Sequence, residues 1–164
     1  MSAPSRSASF PEAGHDHGTC LAEVIDRAEA AFAQQSMRLT ELRRLVLREV
    51  ASSHQAIGAY DILERLSIRG GRRLAPISVY RALDSLVAAG IVHRLESRNA
   101  FFACHAEHPA NRRQIVPSCE GCGRVAEVSA PSVFEGIASA AETAGFRVTQ
   151  TLVEVAGRCK ACDA

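Results

Sequence analysis

Six cysteines carry the sharpest chemistry in the chain: Cys20, Cys104, Cys119, Cys122, Cys159 and Cys162. Four of them form two Cys-x-x-Cys pairs separated by 36 residues. Two intervening residues let both thiolates of a tight turn aim at a single ion. Two such knuckles complete the tetrahedral sulfur shell that structural zinc prefers. Gly121 and Gly123 flank Cys122 and give the first knuckle backbone freedom. Around the second knuckle, Gly157 precedes the turn, and Arg158 and Lys160 offset thiolate charge. The spacing therefore predicts a zinc site made by Cys119, Cys122, Cys159 and Cys162. A redox pair of the thioredoxin type needs only one such motif, opening a helix after a strand. His15-Asp16-His17, close to Cys20, reads as part of a solvated tail.

The elements that must position these groups fit an α+β chain of ordinary globular composition. Apolar types make up 47% of the 164 residues and charged types 23%, which supports a core and excludes a wholly disordered or rod-like chain. No run of apolar residues reaches the length of a spanning helix. Met1 to Phe10 is Ser-rich without an apolar block, so a secretory signal is not expected and a cytoplasmic location is. Net charge is +1 overall, but residues 1–17, 18–104 and 105–164 carry −1, +3 and −1. A middle segment at that charge permits nucleic-acid binding without demanding it.

Residues 1–18 read as a disordered tail. From Leu21, apolar residues recur with helical period through Val24, Ile25, Ala28 and Phe32. A second helix follows Thr40, a good N-cap, with Leu42, Leu45, Val46 and Val50 on one face. A third spans about Ala59 to Ile68. A fourth runs from Pro76 to Gly90, with Val79, Ala82, Leu83, Leu86 and Val87 on its apolar face. Its other side presents Ser78, Tyr80, Arg81, Asp84 and Ser85. Two β-segments, Ile91–Leu95 and Ala100–Cys104, then flank a turn, which is a hairpin signal. Helices followed by such a hairpin predict a winged helix-turn-helix over residues 19–104, its last helix entering the major groove of double-stranded DNA. Arg81 can reach a guanine edge with two hydrogen bonds. Ser78, Tyr80 and Tyr60, at the head of the third helix, are the other DNA candidates. The two tyrosines suit phosphates or thymine methyls, and Arg43, Arg72 and Arg73 suit phosphates only.

Residues 105–113 form a polar hinge. Residues 114–164 follow as a small second domain: strands at 114–117 and 124–129, a helix at 133–144 and a strand at 146–155. About fifty residues is little for an independent core, so zinc and dimerisation would each help it stand.

Several motifs in order now resemble the ferric-uptake-regulator (Fur) family. They are Arg38-Leu39-Thr40 with Arg43, Ala59-Tyr60-Asp61, Val79-Tyr80-Arg81-Ala82-Leu83, the run Gly90-Ile91-Val92-His93-Arg94-Leu95-Glu96-Ser97, and the paired knuckles. The likeness spans about residues 20 to 162. Arg94-Leu95-Glu96-Ser97 and Cys104 look most like the zinc-uptake-regulator branch. The resemblance implies a homodimeric transcriptional repressor of metal-uptake genes that binds palindromic operators when loaded with metal. It implies structural zinc on the four knuckle cysteines. It further implies a regulatory zinc held by His93, Cys104, Glu127 and a His following Cys104. One position departs from the pattern: a His-rich strand is expected before the first knuckle, and Asn111-Arg112-Arg113-Gln114 stands there. Arg112 occupies the place of the fourth ligand and cannot bind a cation; of the nearest substitutes, His105 and His108, His108 is favoured because it lies on the connection and need not follow strand alternation. The further metal site that relatives build on that strand is not expected.

With the hairpin loop at Ser97–Ala100, His93 and Cys104 would stand directly opposite each other; a one-residue change in loop length would send them to different faces. Thiolate, imidazole and carboxylate together suit zinc better than ferrous iron. The alternatives are the same fold sensing iron or peroxide and, in a different class, a zinc-dependent or thiol redox enzyme. No nucleophile–base motif stands out, and no enzyme is expected.

Overall fold

Thr40 stops one helix-free turn and starts the next helix: its Oγ1 accepts the backbone N–H of Arg43 at 3.4 Å, capping α2 (Glu41–Ala51). Before it lies α1 (His17–Gln34), which begins inside the segment expected to be a tail. The structure, a computed structural model, describes Phe10 and residues 17–71, 74–104 and 113–163. These residues form two compact units, one from 17–104 and the other from 113–163.

The first unit continues with β1 (Ile57–Gly58), α3 (Ala59–Gly70) and α4 (Pro76–Ala88). The hairpin β2 (Val92–Leu95) and β3 (Ala100–Ala103) completes it, and the sheet order is β1-β3-β2. Val24, Ala28 and Phe32 of α1 pack with Val46, Leu47 and Val50 of α2, Ile62 and Leu66 of α3, and Val79, Leu83 and Leu86 of α4 in one core. Four helices packed on one core and closed by a β-hairpin make the winged helix-turn-helix expected. Leu45 is a correction: it is exposed, and Leu47 takes the buried place. Within α2, Leu47 continues the stripe of Val46 and Val50, whereas Leu45 is turned off it.

The wing register also differs in detail. Leu95 pairs with Ala100 and His93 with Phe102, so the connection is Glu96–Asn99 rather than Ser97–Ala100. It is closed by a short 3-10 turn at Glu96–Arg98 and by Asn99 at φ 47°, a left-handed conformation that Asn tolerates. The register is shifted by two positions, not one, and two is the period of a strand. His93, Phe102 and Cys104 therefore keep one face, and Cys104 is a diagonal neighbour of His93 instead of its direct partner.

In the second unit, β4 (Gln114–Cys119) is central, with β5 (Val128–Ser129) antiparallel on one side and β6 (Val153–Gly157) parallel on the other. The helix α5 (Pro131–Thr143) connects β5 towards β6 and buries no residue fully. The strand expected at 124–129 is reduced to a Ser118–Val125 bridge and β5. The strand expected at 146–155 starts only at Val153. Phe146 is taken by the end of α5 instead: its N–H bonds to the Ala141 carbonyl while Gly145, at φ 70°, bonds back to Glu142. That pair of bonds is a Schellman cap.

Candidate metal centres and nucleic-acid face

Parallel pairing of β4 with β6 is what brings the distant knuckles together. Cys119, the last residue of β4, stands opposite Gly157, the last residue of β6, and Glu120 N–H bonds to the Gly157 carbonyl at 2.8 Å. Both strands therefore release their chains at the same end of the sheet. The first knuckle turns back through Gly123, at φ 71°, whose N–H bonds to the Cys119 carbonyl. The second closes as a 3-10 turn, with Cys162 N–H on the Cys159 carbonyl at 2.8 Å. All four Sγ atoms lie within 4.8 Å of one another.

The backbone is already shaped for sulfur anions. Cys119 Sγ accepts N–H groups from Cys159 at 3.3 Å and Cys122 at 3.5 Å. The Cys159 and Cys122 amides push its thiol down to about 6. Cys162 goes the other way, to about 12, because its thiol donates towards the Cys159 and Cys122 sulfurs. Four crowded sulfurs of this kind become thiolates together only around a cation. Gly121 leaves no slack: a Cβ there would meet Cys162 Cβ at 3.0 Å and Sγ at 3.1 Å. An all-sulfur, closed tetrad fits zinc and has no hard oxygen donor for other divalent ions.

A second pair of soft donors sits in the wing. His93 on β2 and Cys104 just after β3 bring ligand atoms within 4.8 Å of one another. The His93 ring packs at 5.5 Å on Phe102, its cross-strand partner, and Cys104 is buried with its N–H on the Ile91 carbonyl. Arg27 of α1 donates from Nη2 to the Cys104 carbonyl. No sequence signal pointed to Arg27, which is 77 positions away. Glu127 belongs to the second unit, half-buried between Val125 and β5. His105, His108 and Arg112 lie outside the described residues, as do Arg72 and Arg73.

The DNA candidates gather on α3 and α4. Tyr60 is 72% exposed, and its ring meets that of Tyr80 edge-on at 6.4 Å. Arg81 is exposed and Ser78 half-buried. Arg43, in contrast, is engaged in the fold. Its guanidinium donates to the Arg38 carbonyl at 2.7 Å and Ser85 Oγ at 3.1 Å, and it lies 5.2 Å over the Phe32 ring. Two of its five N–H donors are thereby used within the fold.

The family model described as ferric uptake regulator family matches residues 34–156. This chain belongs to that family. The zinc uptake regulation protein of Escherichia coli (strain K12) is 35% identical over 144 residues, covering 88% of this chain and 84% of its own. A solved structure of a zinc uptake regulator complexed with zinc and DNA superposes with a TM-score of 0.77 at 34% identity, over 92% of this chain and 97% of its own. Holo XcZur gives 0.75 at 34% identity, over 87% and 98%. Among the described residues of this family member, no helix is long and apolar enough to cross a membrane.

Proposed function

We propose that this member of the ferric uptake regulator family is a zinc-responsive repressor, which binds palindromic operators as a metal-loaded homodimer and controls metal-uptake genes in the cytoplasm. The observation that carries the reading is the wing pair: an imidazole and a thiolate donor on one face of the hairpin that flanks the recognition helix α4. Similarity to a zinc uptake regulator solved with zinc and DNA supports both halves, the metal and the operator. An iron or peroxide input has less support, because a thiolate ligand favours zinc.

Two zinc ions per chain have separate roles in this reading. Cys119, Cys122, Cys159 and Cys162 hold the structural one. His93, Cys104, Glu127 and His108 hold the regulatory one, with His108, on the hinge, taken in the place that the family resemblance gives to Arg112. Ligands drawn from the wing, the hinge and the second unit give zinc differential affinity for one arrangement of the two recognition helices. Operator and zinc then raise each other's affinity by the same factor. A hundredfold effect needs only about 2.7 kcal/mol.

Dimerisation fits the second unit. β6 is an edge strand, and Val133, Phe146, Leu152 and Val155 are exposed apolar residues around a sheet and helix that bury little on their own. DNA contact is assigned to Arg81, Tyr80, Ser78 and Tyr60. No enzymatic activity is assigned. A catalytic zinc needs an open position beside a general base, and the sulfur tetrad is closed by its own four ligands. The single His-x-Glu triplet of the deaminase type, His105-Ala106-Glu107, falls outside the described residues.

Cys104→Ser tests the reading. The variant should fold and keep its structural zinc but lose zinc-dependent operator binding, about a hundredfold by fluorescence anisotropy. Wild-type zinc dependence in that variant would remove Cys104 from the sensing site.

A further inference from the structure

The first turn of α4 carries an apolar side chain that the core does not use. Ile77 follows Pro76 at the head of the helix and is 57% exposed, while Val79, Ala82, Leu83 and Leu86 of the same helix are buried. A β-branched residue gains nothing from helix propensity at such a site. Its neighbours make the placement informative. Ile77 and Arg81 are four positions apart, so they stand one above the other on the same helix face, and both are exposed. Tyr60 and Tyr80 form the adjoining aromatic pair.

In helix-turn-helix docking, the residues near the N-terminus of the recognition helix meet base edges. Ile has no donor or acceptor to offer them. The apolar group displayed in the major groove is the thymine 5-methyl. One helical step of four residues advances about 6 Å, the span of about two base-pair steps. We infer that Ile77 is a specificity residue that packs on a thymine methyl, one or two base pairs from the base pair that Arg81 reads. The inference rests on the DNA-binding function proposed above and adds a sequence preference to it.

The test uses the zinc-loaded full chain and a duplex that it selects from random-sequence DNA. Single thymines in that duplex are replaced by deoxyuridine, which removes only the methyl. The wild type should lose about fourfold in affinity at one thymine in each half-site, the value of one buried methyl group. Ile77→Ala should bind the thymine and uracil duplexes equally while still preferring the selected sequence to a scrambled one. Ile77→Val, which keeps a branched apolar surface, should retain the methyl dependence. A fourfold loss that persists in Ile77→Ala would overturn the inference alone. Failure of the wild type to select any duplex would overturn the DNA-binding reading beneath it as well.

Discussion

The two candidate metal centres use overlapping donor chemistry but opposite architecture. All four knuckle cysteines lie in the second unit, and two parallel strands deliver them to the same end of one sheet. In the proposed regulatory centre, His93 and Cys104 come together within the first unit, and the other two ligands proposed, Glu127 and His108, come from other parts of the chain. A site completed by one folded unit serves that unit's stability. A site that needs ligands from separately folded parts can respond to metal supply, because filling it selects an arrangement. The units differ in the same sense. The first has a continuous apolar core from α1 to the wing, whereas α5 of the second buries no residue fully. A zinc held by the knuckles would be the staple that so small a core calls for.

The largest effect expected from this contrast is at Cys159. Cys159→Ser should abolish the fold of residues 113–163 while the winged-helix unit keeps its helical circular dichroism, since zinc affinity in such a centre is folding free energy, on the order of 10 kcal/mol. A variant that retains a folded second unit without zinc would break the comparison. Acid should act on the same centre. Cys119 is pushed down to about 6 by the Cys159 and Cys122 amide N–H groups even before a metal is counted. Protons compete with zinc for every thiolate, so knuckle zinc should stay bound at pH 7 and be released in acid. A colorimetric zinc indicator would follow the release, and loss already at neutral pH would contradict the account. Next comes Gly121→Ala, whose new methyl would crowd the Cβ and Sγ of Cys162. Zinc affinity at the knuckles should drop about tenfold, the lower end of what disturbing a ligand's immediate support costs, with wing-dependent operator response unchanged once zinc is saturating. Smallest is Thr40→Ala, which removes the α2 cap. It should lower the stability of the first unit by about 0.5–1 kcal/mol in urea unfolding and leave zinc content as it was.

How much of this was legible in the sequence follows from how local each feature is. The cap at Thr40, the proline that opens α4, the apolar stripe of α4 and the two knuckles are written in residues a few positions apart, and the structure reproduces them. The approximate extent of the wing was legible, but its register was not, because Asn99 takes the left-handed position and moves the turn by one residue. The His93–Cys104 proximity survived that shift only because the pairing moved by two. β1 is two residues long and has no periodicity to read. Phe146 looked like the start of a strand, yet Gly145 commits it to the end of α5. Arg27 reaches Cys104 across most of the first unit, a contact that no spacing rule contains.

The central claim is that one zinc builds and the other reports. It is tested most directly by stepwise chelation of the purified dimer, measuring zinc per chain, oligomeric mass and operator affinity on the same samples. The account predicts two classes of ion: one per chain that leaves easily and takes operator binding with it, and one per chain that leaves only when the second unit unfolds. A single tightly held zinc per chain, with operator binding indifferent to added metal, would contradict it.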